Sequence, residues 1–459
     1  MMTTDTPLGG HDADIEALIR KLVAGPAKPE RHFIVGGERF SDLYDMACRI
    51  RTWLAAQATP GKPICLCSEN RALVTATALA ALASGPAVIL PYAQSEQALE
   101  ETRQAIDFDV AVVDGPRALP AGVSSLDRQA IAETQPDPRM MRPGNPDDQW
   151  IFLFTGGSTG VPKIWTKTPC NLLGESAFLV REFNVTDADV ILATVPPYHI
   201  YGLLYSVLVP LLASARVCRQ TPTFPNEILT LAGQTDATIL ISIPAHYRAL
   251  RNHHTDRHNL RIAFSSGGAL APEDDQAFFE SVRVPVTEVY GSTETGGIAL
   301  RCRAAGRPGL IPYSCVDWRI ADDALCVRSR FLSRELETDS AGFYRTADRA
   351  KPDGDQGFAL LGRSDGIVKV AGKRVDLLSI QQVLQKIPGV DDAYVFAKKT
   401  EQGRENVILA LVAGDAAEPL LRETLQQRFE PYAVPRVIKT VAQIPVSSVG
   451  KVNRAQIEK

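Results

Sequence analysis

The sequence predicts an α/β protein in two parts. A large N-terminal domain holds mixed and parallel sheets with helices, and a small α+β C-terminal domain follows. Three observations carry this reading. Short apolar runs alternate with helix-like stretches over most of the 459 residues, as strands joined by crossover helices do. Several of those runs end in loops of Gly, Ser and Thr. After about residue 320 the chain turns rich in Gly, Asp, Lys and Arg, with short β-like runs that suggest hairpins. The length exceeds one typical domain.

The first twenty residues lack a basic segment followed by an apolar run, so no signal peptide is expected. The stretch ALVTATALAALASGPAVILP (72–91) is long enough to suggest a membrane span. Gly85-Pro86 divides it, and a buried helix followed by a short strand is the expectation. Strands are expected at WIFLF (150–154), DVILATV (189–195), ATILISI (237–243), RIAFSS (261–266) and VTEVY (286–290). Helices are expected at PNEILTLAGQ (225–234) and APEDDQAFFESV (271–282). Open α/β sheets bind ligands beyond the carboxyl ends of their strands. TGGSTG, SSGGAL and YGSTETGG follow three of these runs, so they could converge on one site. The C-terminal part then reads helix (378–387), strand (392–398), strand (406–413), helix (418–429) and a Pro-rich tail.

Composition narrows the function classes. Apolar residues at 45% and charged residues at 22% are those of an ordinary globular enzyme. A net charge of −4 offers no general attraction to nucleic acid or an anionic membrane, so any phosphate binding must be local. The eight scattered cysteines are expected to be reduced thiols in a cytoplasmic protein. The loop after WIFLF is the first candidate for phosphate. Gly156, Gly157 and Gly160 free the backbone to turn several N–H groups toward one anion. Thr155, Ser158 and Thr159 add hydroxyls, and Lys163 adds a positive charge. A Walker A loop would end in Gly-Lys-Ser/Thr, but Gly160 is followed by Val161-Pro162. Taken alone, the stretch fits either a phosphate cradle or an ordinary Gly/Ser turn.

The order of motifs decides between them. FTGGSTGVPK (154–163), PPYHIYG (196–202), YGSTE (290–294), YRTAD (344–348), GRSDGIVKVAGKRV (362–375) and PVSSVGKVNR (445–454) follow one another along the chain. They resemble the successive core motifs of the ANL superfamily of adenylate-forming enzymes: acyl- and aryl-CoA synthetases, peptide-synthetase adenylation domains and luciferases. The resemblance covers roughly residues 30–459. It implies a carboxylic acid activated by ATP with Mg²⁺, giving an acyl-adenylate and pyrophosphate. A thiol of CoA or phosphopantetheine then takes the acyl group and releases AMP. Two anions meet in the first step, so cations and preorganised donors are needed.

The resemblance assigns roles residue by residue. Thr155, the loop Gly156–Gly160 and Lys163 would hold the β- and γ-phosphates. Gly267, Gly268, Tyr290, Gly291, Ser292 and Thr293 would line the nucleotide. Glu294 would bind Mg²⁺, a cation suited to carboxylate and phosphate oxygens. Asp348 would accept the ribose hydroxyls, and Arg363 would sit near ribose and phosphates. Lys451 resembles the catalytic lysine of adenylation, a flexible point charge able to bridge acid and α-phosphate. Asp365 matches the hinge, giving domains 1–364 and 365–459. After adenylation the loop around Lys369 and Gly372 would replace Lys451 in the site. The chain departs from the common pattern at Gly156, Ile164 and Ala347, over the run Ser379-Ile380-Gln381, and at DALCVRS (323–329), where a Gly-Glu-Leu segment is usual.

The acid is narrowed by what PPYHIYG and its sequel lack. By resemblance, amino-acid-activating members carry an aspartate here to pair the substrate ammonium. TVPPYHIYGLLYSVLVPLLASA (194–215) has no acidic residue, and an unpaired ammonium would be costly there. A carboxylic acid without an α-amine is expected. His199 resembles the gate or pocket residue of acyl- and aryl-acid ligases, and His246 is a second pocket candidate. Chain length and the TGGSTG variant resemble stand-alone ligases that load aryl acids, such as hydroxybenzoates, onto an acyl carrier protein; CoA is the other acceptor. No nucleic acid partner and no membrane span are expected. The alternatives are a fatty acyl-CoA synthetase and a non-catalytic nucleotide-binding member. Retention of Lys163, Glu294, Asp348, Arg363 and Lys451 together speaks against the latter.

Overall fold

The computed structural model describes residues 14–457 apart from 58–60, 156–162, 252, 254–257, 355, 371–372, 400–405 and 447–451. Contacts divide the chain into two compact units. The first is Met1–Asp317 with Arg328–Glu337, and the second is Trp318–Val327 with Thr338–Lys459. The expected boundary between 364 and 365 concerns motion about a hinge, and is carried into the proposal below.

In the first unit one sheet runs in the order Ser124–Leu126, Val110–Val113, Ile64–Cys67, Val88–Leu90, Ile151–Thr155, Lys163–Lys167. All neighbours are parallel except the last pair, which forms an antiparallel hairpin. Its strands are short and mostly apolar, as buried parallel strands are. The apolar run at 72–91 resolves into the helix Arg71–Leu82 and the strand Val88–Leu90. Asn70 starts that helix, its side chain accepting from the N–H groups of Ala72 and Leu73. Every residue of the helix is buried, which explains its lack of a polar face. Among the described residues no helix is long and apolar enough to cross a membrane.

A second sheet of this unit places Arg216–Val217, Val190–Ala193, Ile239–Ser242, Ile262–Ser265 and Val286–Ser292 side by side, all parallel. Gly296–Cys302 and Arg307–Pro312 continue it antiparallel. The helices Pro225–Gln234 and Pro272–Val282 each begin on a proline, which is tolerated in the first turn. They pack on this sheet through Ile228, Leu229, Phe278 and Val282. The parallel strands therefore send PPYHIYG, IPAHY, SSGGAL and YGSTE out at their carboxyl ends.

The second unit contains the strand Ala324–Arg328 up to Val327, with Tyr344–Asp353 and Gly357–Arg363 antiparallel beside it in turn. A hairpin, Ile367–Val370 with Lys373–Asp376, follows. Val390–Lys399, Asn406–Gly414 and Val437–Val441 form a separate sheet, antiparallel then parallel. Helices Leu377–Leu384 and Glu418–Arg428 cover it, burying Ile380, Leu384, Leu421 and Leu425.

Candidate active site

The hairpin Ile151–Thr155/Lys163–Lys167 is the base of the glycine loop. Thr155 and Lys163 are its last register pair, so the hydroxyl and the ammonium flank the loop from opposite strands. Trp165 Nε1 donates to Thr155 Oγ1 at 3.0 Å and holds that threonine in place. Lys163 is exposed at the strand end. Gly156, Gly157, Ser158, Thr159 and Gly160 lie outside the described residues.

Tyr290, Gly291, Ser292, Thr293 and Glu294 lie at the end of the strand Val286–Ser292 and in the turn after it. The pairing with Gly296–Cys302 shifts register at Tyr290/Gly291. A Cβ on Gly291 would stand 2.2 Å from the carbonyl oxygen of Gly296, so this close return of the chain requires glycine. Ser292 and Thr295 tie the turn internally. Their hydroxyls lie 2.8 Å apart, and each accepts from the other's backbone N–H. The neighbouring loop is fastened to this strand by Ser266 Oγ, which donates to the Val289 carbonyl at 2.9 Å. Gly267, at φ +88°, adopts a left-handed conformation that favours glycine. Gly268 has no crowding neighbour beyond Pro244 at 3.8 Å.

Below this turn lie two charged residues that the motifs do not name. Lys167 is fully buried, and its Nζ donates to the carbonyls of Glu294 at 3.1 Å and Phe331 at 2.9 Å. Glu175 is also buried, and its Oε1 accepts from Gly297 N at 2.9 Å. Burial pushes the lysine down and the glutamate up, while the opposite charges partly offset this. The Glu294 side chain is half-buried, and its carboxylate accepts no hydrogen bond among the described residues. No cluster of three His, Cys, Asp or Glu ligands occurs among the described residues. A single carboxylate fits Mg²⁺ shared with nucleotide phosphates better than a metal caged by protein alone.

In PPYHIYG, where the acid is expected, His199 starts the helical segment that runs from Ile200 to Ala213. Its ring stacks obliquely on Tyr198, with centroids 4.6 Å apart. The segment widens to a π-helix over Leu204–Leu208. Pro210, which has no N–H to give the helix ladder, accounts for this break in the pattern. Tyr201 and Tyr205 lie edge to face at 5.0 Å, and Tyr205 meets Phe264 at 5.0 Å. Tyr205 and Phe264 also line a small apolar cavity with Leu179, Phe183 and Val209. His246 Nδ1 shares a hydrogen bond with Thr194 Oγ1 at 2.8 Å, and Thr194 Oγ1 lies 2.9 Å from Ser242 Oγ. Burial holds the imidazole down, to about 4, so it is neutral at ordinary pH.

Arg71 braces this region from below. Fully buried, it donates to Ser206 Oγ and to the carbonyls of Ala193, Val195, Cys218, Arg219 and Gln220. The strand end that carries PPYHIYG is thereby fixed.

In the second unit Asp348 and Arg363 are register partners on adjacent strands, with Nη1 3.4 Å from Oδ1. Ser364 Oγ donates to the Ala347 carbonyl at 3.0 Å and closes the turn Ser364–Gly366, which contains Asp365. Lys369 lies on the strand Ile367–Val370, paired with Arg374. Gly372 and Lys451 lie outside the described residues.

The structure thus groups the predicted residues in three sets: Thr155 with Lys163; Gly267, Gly268 and Tyr290–Glu294 with His199 on one sheet end; and Asp348 with Arg363, Asp365 and Lys369 in the second unit. Comparison with known proteins agrees with the motifs. Residues 24–330 match the model of the AMP-binding enzyme family, and residues 379–451 match the AMP-binding enzyme C-terminal domain. A sulfoacetate–CoA ligase of Cupriavidus necator is 25% identical over 81% of this chain and 77% of its own. A 3-hydroxybenzoate–CoA/4-hydroxybenzoate–CoA ligase of Thauera aromatica is 26% identical over 68% of this chain and 66% of its own. The fold matches ATP-bound MatB from Rhodopseudomonas palustris with a TM-score of 0.83, at 20% identity over 97% of this chain and 98% of that one. The chain belongs to the AMP-binding enzyme family, within the ANL superfamily of adenylate-forming enzymes, and is an AMP-forming acid–thiol ligase.

Proposed function

We propose that this chain activates an aryl acid, such as a hydroxybenzoate, with ATP and Mg²⁺, and passes the acyl group to the phosphopantetheine thiol of an acyl carrier protein or to CoA. The observation that carries the substrate class is the segment 194–215. It has no acidic side chain to pair an ammonium, and it is rich in aromatic rings: Tyr198 packs on His199, Tyr201 on Tyr205, and Tyr205 on Phe264. The neutral His246, with Thr194 and Ser242, supplies polar groups of the kind that hydrogen-bond a ring hydroxyl. The hydroxybenzoate-activating relative supports the same class.

In this reading the acid's carboxylate oxygen attacks the α-phosphorus and pyrophosphate leaves. Thr155, the loop 156–160 and Lys163 bind the β- and γ-phosphates and the departing anion. Tyr290 offers its ring to the adenine, beside the backbone of Gly267 and Gly268. Glu294 would hold Mg²⁺ together with phosphate oxygens, and the metal would neutralise charge there. Lys451 bridges the carboxylate and the α-phosphate. Asp348 binds the ribose, and Arg363 steadies that carboxylate. The part beyond Asp365 then rotates and brings Lys369 to the thiol's path. The thiolate attacks the acyl carbon, the thioester forms and AMP departs.

The test is pyrophosphate release from ATP and Mg²⁺ over benzoates, hydroxybenzoates, cinnamates and fatty acids, with Lys451→Ala beside the wild type. Release with aryl acids, lost in the variant, is expected; CoA and carrier protein are then compared for AMP release. Release with fatty acids alone would replace the substrate class. No release with any acid, despite ATP binding, would overturn the catalytic reading.

A further inference from the structure

Lys167 and Glu175 grip the turn that displays Glu294 from both ends. Lys167 Nζ and Ser333 N both donate to the Glu294 carbonyl, at 3.1 and 2.8 Å, so its two lone pairs are occupied. At the far end Gly297 N donates to Glu175 Oε1 at 2.9 Å. Gly296 sits at φ +69°, and a Cβ there would stand 2.7 Å from Glu175 Oε2, so the chain runs directly against the carboxylate. The Phe331 carbonyl, Lys167's second acceptor, belongs to a strap that is held independently. Asn171 Nδ2 donates to the carbonyls of Arg330 at 2.6 Å and Leu332 at 3.2 Å.

Burying an ammonium and a carboxylate costs several kcal/mol per ion before compensation. Capping two carbonyls needs only neutral donors, so stability alone does not require this pair. What the pair does supply is a fixed backbone under one functional side chain. Lys167 also ends the strand that begins at Lys163. The hairpin that frames the phosphate loop and the turn that carries Glu294 are therefore pinned by the same residue.

We propose that Lys167 and Glu175 are positioning residues, which hold the Glu294 carboxylate where it meets a divalent cation and the phosphate oxygens of ATP. This rests on the reading of Glu294 as the cation's ligand. The pair acts through the backbone of residues 294–297 and touches neither nucleotide nor acid. Supporting groups behind a metal ligand commonly change metal affinity by about 10–100-fold when removed.

The binding measurement needs no acid. Mn²⁺ binding to the full chain with saturating ATP is followed by electron paramagnetic resonance, for the wild type, Lys167→Met and Glu175→Gln. Glutamine keeps the size of Glu175 but weakens the bond to Gly297 N and leaves Lys167 without its counter-charge, so this variant tests the pair if Lys167→Met does not fold. Thermal midpoints are recorded alongside. Both folded variants are expected to raise the Mn²⁺ half-saturation about tenfold or more. The Mg²⁺ needed for half-maximal pyrophosphate release rises in parallel, while the acid's KM holds. A lowered thermal midpoint with unchanged Mn²⁺ half-saturation would show a purely structural role and overturn the inference alone. A wild type that takes up no Mn²⁺ with ATP would overturn the inference together with the reading of Glu294.

Discussion

Replacing Arg71 with methionine sets two large effects against each other. The guanidinium is 1% exposed. Three of its bonds are short: Ser206 Oγ, Val195 O and Arg219 O, each at 3.1 Å. The other three run from 3.3 to 3.5 Å and count for less. A hydrogen bond from a charged donor contributes about 1.5–3 kcal/mol, so the short three amount to about 5–9 kcal/mol. Against this stands the cost of burying the charge, which pushes Arg71 down to about 10. At about 1.4 kcal/mol per pH unit that is about 3 kcal/mol, and methionine relieves it. The bonds win, and a net loss of about 2–6 kcal/mol is expected. Urea unfolding of wild type, Arg71→Met and Arg71→Lys, read by tryptophan fluorescence and far-UV circular dichroism, measures it. A chain of two units need not unfold in one step, so the first transition is compared. A methionine variant within about 0.5 kcal/mol of wild type would refute the reasoning, because desolvation would then cancel the bonds, as it does for some buried charges.

Two further outcomes concern His246 and PPYHIYG. His246 is held down to about 4, below its ordinary 6.5, so its contribution to stability is whole above pH 6.5 and shrinks as pH falls toward 4, by about 2 kcal/mol at pH 5. His246→Gln is expected to remove that part of the difference between urea midpoints at pH 7.5 and pH 5, and an unchanged difference would show that the imidazole is not buried neutral. In Gly202→Ala the new Cβ would meet the Pro196 carbonyl oxygen at 2.0 Å, which forces PPYHIYG to shift. The acid's kcat/KM is expected to fall at least tenfold with the KM for ATP nearly unchanged, and equal losses in both would point to general unfolding instead.

Much of the fold is legible in the sequence because its signals are local. Gly85-Pro86 divides an apolar run into helix and strand within a few residues, and the helices at 225–234 and 272–282 begin on their prolines. Two of the three glycine-rich loops, SSGGAL and YGSTETGG, do follow neighbouring parallel strands of one sheet, while TGGSTG, outside the described residues after Thr155, follows a strand of the other sheet. The π-helical turn at Leu204–Leu208 is less legible, since a proline inside an apolar run reads equally well as a kink or an end. Lys167, Glu175 and Arg71 are a different case. Read along the chain, a charged residue is expected to be solvated, and no neighbour in sequence says otherwise. What permits Lys167 to be buried are carbonyls 127 and 164 residues away. Those of Arg71 lie 122 to 149 residues away. Motifs mark groups that face a substrate, because their spacing is set by one loop. The charges that hold those loops in place are set by tertiary contacts, and only the folded chain brings such a charge and its acceptors together. Variants chosen from the motifs alone would therefore test the chemistry while leaving its support untouched.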